Sequence, residues 1–154
     1  MIRTFTAPDA PHIAELVAAL NAEEGYDRRT AADAAALCDA FLGPQALGRL
    51  LLAGEPARGY LTLHPSFETE IGARGAYMGD LYVAPEHRRQ GLGRALVAAA
   101  VRQVRSEGGS FLWWTALPKN PGGLAFYAAL GAKSEAVRAC ALTHAAFNAL
   151  AEDA

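Results

Sequence analysis

The sequence predicts one mixed α/β domain, and three observations carry that expectation. The chain has 154 residues, an ordinary size for one domain and enough to bury about two thirds of its unfolded surface without a metal or disulfide staple. Its apolar residues switch repeatedly between spacings of three or four, which line a helix face, and short runs or alternations that suit strands. No internal repeat, low-complexity linker or block of like charge divides it.

The elements follow in order. Residues 2–5 fit a short strand. Thr6-Ala7-Pro8-Asp9 has the form of a capping box with proline in the first turn, and Ile13, Leu16, Val17 and Leu20 follow at helical spacing to a stop at Gly25. A second helix is expected over about 31–42, ended by Gly43-Pro44. Residues 47–53 and 59–63 read as strands joined by a turn at Gly54-Glu55-Pro56, then 65–75 as a loop and 76–84 as a third strand. A polar connector, 85–90, opens a helix near Gly91 or Leu92. Leu92, Leu96, Val97, Ala99, Ala100, Val101 and Val104 share one broad face of it, and Gly108-Gly109 end it. Residues 110–116 read as a buried strand, 122–130 as a short helix stopped by Gly131, 135–143 as a last strand and 144–151 as a helical tail.

Composition narrows the function. Alanine supplies 35 residues, so much of the 52% apolar content is small, helix-favouring filler. No apolar run is longer than that at 95–101, which is far short of the roughly 20 residues that cross a bilayer. The opening residues 1–6 lack the continuous apolar stretch of a signal peptide, so a cytoplasmic protein without a membrane partner is expected. A net charge of −2 argues against a general nucleic-acid binder. Cys38 and Cys140 lack C-x-x-C spacing and read as two buried, reduced thiols. The four histidines share no metal-ligand spacing, so no metal is expected, and His64 and His87 read as surface or strand-end residues. Neither a G-x-S-x-G elbow nor a Walker loop is present.

One stretch carries chemistry. Where the strand at 76–84 gives way to a helix, Gly91 and Gly93 let a ligand approach the backbone and permit turn conformations closed to other residues. First-turn amides point outward unsatisfied, and the helix dipole adds partial positive charge. That combination suits phosphate, and Arg88, Arg89 and Arg94 add charge around it. A dinucleotide fingerprint fits poorly, because Leu96 stands where a third small residue belongs.

Arg88-x-x-Gly91-x-Gly93 matches the [Q/R]-x-x-G-x-[G/A] signature that opens the central helix of GCN5-related N-acetyltransferases (GNAT). Asp80-Leu81-Tyr82-Val83-Ala84-Pro85-Glu86-His87-Arg88 resembles that family's fourth strand and its exit. Asn120 with Phe126-Tyr127-Ala128-Ala129-Leu130-Gly131-Ala132 resembles its N-x(5)-F-Y-x-x-L-G-A segment. The resemblance spans nearly the whole chain and is strongest over 78–132. It implies a single domain over 1–154 with a mixed, mostly antiparallel sheet flanked by about four helices.

It also implies acetyl-coenzyme A as cosubstrate. The pyrophosphate would lie on amides of about Arg89, Gln90, Gly91, Leu92, Gly93 and Arg94, beside Arg88. Backbone groups of Leu81, Tyr82 and Val83 would pair with the pantetheine arm like an added strand, and Asn120 and Phe126 would border it. Tyr127 would be the general acid for the departing thiolate, since a phenol stays protonated at neutral pH; its alternative is a half-buried helix aromatic. The polyamine-acetylating branch carries E-D-L-Y-V in the fourth strand, where this chain has Gly79-Asp80-Leu81-Tyr82-Val83. Asp80 then either acts through water or is a satisfied strand-end carboxylate. Glu23 and Glu24 either border the acceptor or are a solvated helix end, with Tyr26 a further candidate wall. Of Trp113 and Trp114, alternation sends one to the core and the other to the acceptor cleft, or both pack inside.

The expected activity is transfer of acetyl to a primary amine of a small, cationic molecule by direct attack in a ternary complex. The alternatives are a protein or peptide N-acetyltransferase and a non-catalytic acyl-coenzyme A sensor on the same fold. The C-terminal helix, with Phe147 and Leu150, is open to docking on its own subunit or, as a homodimer, on a second copy.

Overall fold

The computed structural model describes residues Met1–Asp153, which form two compact units, Met1–Thr115 and the residues from Ala116 on. In the larger unit, five strands lie in the order β1 (Ile2–Thr4), β2 (Arg49–Ala53), β3 (Gly59–Glu68), β4 (Ala73–Val83) and β5 (Phe111–Trp113). The first four are antiparallel, and β5 runs parallel to β4. Helices α1 (Ala10–Glu24), α2 (Ala34–Phe41) and α3 (Leu92–Ser106) belong to this unit. The smaller unit carries α4 (Pro121–Ala129) and α5 (His144–Glu152).

Local chemistry sets the ends of these elements. The Asp9 carboxylate accepts from the Thr6 amide (3.0 Å) and from both terminal nitrogens of Arg3 (2.8 and 2.7 Å), tying β1 to the start of α1. That pairing holds the Asp9 carboxyl well below its ordinary range. At the other end of α1, Gly25 takes a left-handed conformation (φ 85°) that a Cβ would strain.

Alternation along the strands divides the core. Leu50, Leu52, Tyr60 and Tyr82 pack with Phe5, Ile13 and Leu37 under α1 and α2. Leu51, Leu61 and Leu63 have the opposite parity, and α3 lies across β2, β3 and β4 with Leu96, Val97, Ala100 and Val104 buried. Val101, at the rim of the expected stripe, is exposed.

Four expectations need correction. Residues 65–75 are not a loop but the far half of a long β3–β4 hairpin, paired from His64↔Tyr77 to Glu68↔Ala73. Pro65 is tolerated because β2 stops at Arg49↔Leu63, so β3 has an unpaired side beyond that point and needs no donor there. The strand at 110–116 is limited to Phe111–Trp113. Residues 135–143 form no strand: the segment is alanine-rich, wholly exposed and paired with no ladder, so neither burial nor hydrogen bonding fixes it as extended sheet. Cys140 is accordingly exposed and Cys38 half-buried, not two buried thiols. Among the described residues, no helix is long and apolar enough to cross a membrane.

Candidate active site

The last pair joining β4 to β5 is Tyr77↔Trp113, whereas β4 runs on to Val83. From Met78 to Val83 the strand therefore keeps β3 on one side and, among the described residues, has no strand on the other. Such an edge offers backbone donors and acceptors to an extended ligand. Leu81, Tyr82 and Val83 lie along it. Trp113 packs against Tyr77 at the fork with tilted rings (centroids 4.5 Å apart), and the Tyr77 hydroxyl lies 3.4 Å from Thr115 Oγ1. Trp113 is 44% exposed and Trp114 half-buried, so neither is the fully buried core residue that alternation suggested.

A bulge shapes the same stretch. Leu61 pairs with Leu81 and Leu63 with Met78, so Gly79 and Asp80 together face Thr62. The buried Thr62 hydroxyl accepts from the Asp80 amide at 2.7 Å, which satisfies a donor the ladder leaves out. A Cβ at Gly79 would lie 2.7 Å from Thr62 Oγ1 and 3.3 Å from His64 Nε2, so the position admits no side chain as the strands stand.

Beyond Val83 a single 3-10 turn (Pro85–His87) leads to α3. Arg89 takes a left-handed φ of 61°, rare for a residue with a side chain, and Gly91 follows at 80° as the N-cap. The first backbone bond of the helix is Ala95 N–H to the Gly91 carbonyl (3.0 Å), so the amides of Leu92, Gly93 and Arg94 precede the ladder. Arg89, Gln90 and Arg94 are exposed around this turn. Arg88 is exposed as well but engaged: its guanidinium binds both Glu23 oxygens (2.7 and 2.8 Å), donates to the Val83 carbonyl (2.7 Å) and lies 5.6 Å from the Tyr82 ring centroid. The Tyr82 hydroxyl also donates to Glu23 (3.3 Å). Burial first, and then the Glu23 charge, raises the Tyr82 pKa. Arg88 and Glu23 thus brace the turn against the end of α1.

A polar face lies under α1 and α2. Tyr60, Thr62 and His64 share one parity of β3, between the apolar Leu61 and Leu63. Tyr60 is 0% exposed, and among the described residues no group satisfies its hydroxyl. Burial, followed by the charges of Asp80 and Glu24, pushes its pKa far upward. Burial also raises the Asp80 pKa, an effect that its electrostatic interaction with His64 opposes. His64 is half-buried within β3, packed between Phe41 (5.9 Å) and Tyr77 (6.5 Å), rather than at a surface or strand end. The sequence held a signal for this trio in polar side chains at every second position of a leucine strand, which composition alone passes over.

The larger unit thus brings together Glu23, Tyr82 and Arg88 in one group and Asp80 with Thr62, His64 and Tyr60 in another. Tyr26 follows α1 and is 58% exposed, away from both groups' hydrogen bonds. In the smaller unit, Asn120 caps α4, its Oδ1 accepting from the Gly123 amide at 2.9 Å. Phe126 and Tyr127 are half-buried on that helix with ring centroids 5.4 Å apart. Among the described residues, no group of three or more His, Cys, Asp or Glu side chains is placed to hold a metal ion.

Comparison with known proteins bears on this geometry. Residues 13–132 match the model of the acetyltransferase (GNAT) family. The L-ornithine N5-acetyltransferase NATA1 of Arabidopsis thaliana is 27% identical over 93 residues, covering 60% of this chain and 41% of that protein. The match thus spans about two fifths of that relative's length. An integron cassette protein from the mobile metagenome of V. cholerae superposes with a TM-score of 0.81 at 19% identity, over 99% of this chain and 98% of the other. An aminoglycoside acetyltransferase, meta-AAC0020, from an uncultured soil metagenomic sample, in complex with sisomicin, gives 0.77 at 20% identity over 94% and 96%. These structural likenesses show the fold.

Proposed function

The chain belongs to the acetyltransferase (GNAT) family, and from that premise we propose that it transfers acetyl from acetyl-coenzyme A to the primary amine of a small molecule, by direct attack in a ternary complex. The observation that carries this reading is the fork at Tyr77 and Trp113, where β4 continues without β5 and runs directly into the turn before α3. The edge and the turn suit the two halves of one ligand: extended amide-bearing chain along Leu81–Val83, diphosphate at the amides ahead of Ala95 with Arg89 and Arg94 beside them. Gly91 fits that use, since its left-handed φ disfavours a side chain and the space beside it is open.

The bound cosubstrate would supply an activated acetyl thioester. The chain's own residues bind and orient it, and they move protons. Arg88, held by Glu23 and the Val83 carbonyl, fixes the turn rather than meeting phosphate directly. Asp80 and Glu24 favour a cationic acceptor by charge. Glu23 is engaged by Arg88 and contributes chiefly through position. Tyr127, by its place in the family-like segment, donates its phenolic proton to the leaving sulfur. The ornithine and aminoglycoside acetyltransferases among the similar proteins support a small amine as acceptor.

The test is amine-dependent release of coenzyme A thiol with L-ornithine, sisomicin, spermidine and a peptide N-terminus as acceptors. Turnover with a small amine supports the reading, and turnover with the peptide alone replaces it with peptide acetylation. Tyr127→Phe should keep acetyl-coenzyme A affinity and lose most turnover. A parent chain that binds acetyl-coenzyme A yet acetylates no amine is a sensor.

A further inference from the structure

We propose that His64 is the proton acceptor for the attacking amine, standing in from β3 at the place where Gly79 leaves β4 without a side chain. This rests on the acetyl-transfer reading above and names a residue for its open step. A carboxylate rooted at position 79 is excluded, since its Cβ would sit 2.7 Å from Thr62 Oγ1. Outside Gly79 and its chain neighbours, the atoms next nearest to that missing Cβ are His64 Nε2 and Cδ2, at 3.3 and 3.4 Å, so the imidazole borders the space a side chain there would enter.

The ring is held for such a task. Phe41 and Tyr77 flank it, and a Cβ at Gly48 would lie 2.9 Å from Nδ1, so the Nδ1 edge abuts backbone while Nε2 faces Gly79. Gly79 itself is exposed. Tyr77 touches His64 on one side and Trp113 on the other, which puts the imidazole one aromatic ring from the strand fork. Asp80 and His64 are near enough to interact electrostatically, and the Asp80 carboxylate would stabilise the imidazolium formed on proton uptake.

The step balances. The amine nitrogen forms a bond to the acetyl carbon as the carbon–sulfur bond breaks. The proton leaving nitrogen passes to His64 Nε2 and then to solvent. The sulfur takes its proton from the Tyr127 hydroxyl, which solvent replenishes.

The experiment compares the parent chain with His64→Ala and His64→Gln, using whichever of L-ornithine, sisomicin and spermidine supports turnover. The expected result is a fall in kcat of about 100-fold in both variants, with KM for acetyl-coenzyme A and the melting temperature little changed. Added imidazole should restore His64→Ala, which leaves room for it, and not His64→Gln. In the parent chain without acetyl-coenzyme A, the His64 ring resonances should move when the same amine is added. A kcat for His64→Ala within about threefold of the parent, a loss that imidazole does not relieve, or ring resonances unmoved by the amine would overturn the proposal while leaving acetyl transfer intact. Absence of turnover in the parent chain with every amine would instead remove the acetyl-transfer reading, and this proposal with it.

Discussion

Gly79→Ala tests the bulge on which the site is built. Glycine to alanine inside a strand ordinarily gains about 0.5–1 kcal/mol by reducing the freedom of the unfolded chain. Here the new Cβ would sit 2.7 Å from Thr62 Oγ1, and the short threonine side chain yields only by rotating. Rotation breaks its 2.7 Å bond from the Asp80 amide and leaves a part-buried N–H unpaired, costing about 1–3 kcal/mol. The net expectation is a loss of about 1–2 kcal/mol, or roughly 2–8 °C in Tm for a chain of this size. Urea and thermal melts of Gly79→Ala, Thr62→Ala and the double variant check it. With the hydroxyl already gone, the Gly79→Ala change should cost less than about 0.5 kcal/mol, a coupling of at least about 0.5 kcal/mol. A Gly79→Ala protein as stable as its parent, or effects that simply add, would refute the reasoning.

Two further outcomes are expected. Asp9 has a folded pKa below its unfolded value of 3.8, so its pairing with Arg3 stabilises fully above that pH and is lost as pH falls from there toward the depressed value. Asp9→Asn should therefore cost about 1.5–3 kcal/mol at neutral pH, as a charge-assisted pair does, and flatten the acid limb of stability, read by urea melts, below pH ~4. Tyr60→Phe removes a hydroxyl that is buried without a partner, so denaturation should show a stability unchanged or raised by about 1 kcal/mol; a loss of that size would mean the hydroxyl is bonded in solution.

Sequence reasoning reached furthest where one short segment determines its own conformation. Thr6-Ala7-Pro8-Asp9, Gly25, Gly91 and Gly131 each mark a helix end by local backbone chemistry, and each lies at one in the structure. The glycine turn ahead of α3 is legible for the same reason, although the engagement of Arg88 by Glu23 joins residues 65 positions apart and has no local sign. Proline and glycine misled between 65 and 75, because their effect depends on whether the strand side they occupy is paired. The alternating small residues of 135–143 look like a strand, yet alternation forms none without a neighbour to pair with. Asp80 was visible as a carboxylate, but its partners Thr62 and His64 come from β3 through a bulge that register alone creates.

The central claim is acetyl transfer straight to a small amine, and the most direct measurement follows isotopically labelled acetyl from acetyl-coenzyme A by mass spectrometry of both the small-molecule fraction and the intact protein during turnover. The account predicts label on the amine nitrogen of the acceptor and an unmodified protein at every time point. Label held covalently on the protein before it reaches the amine, or label that reaches no amine at all, would contradict it.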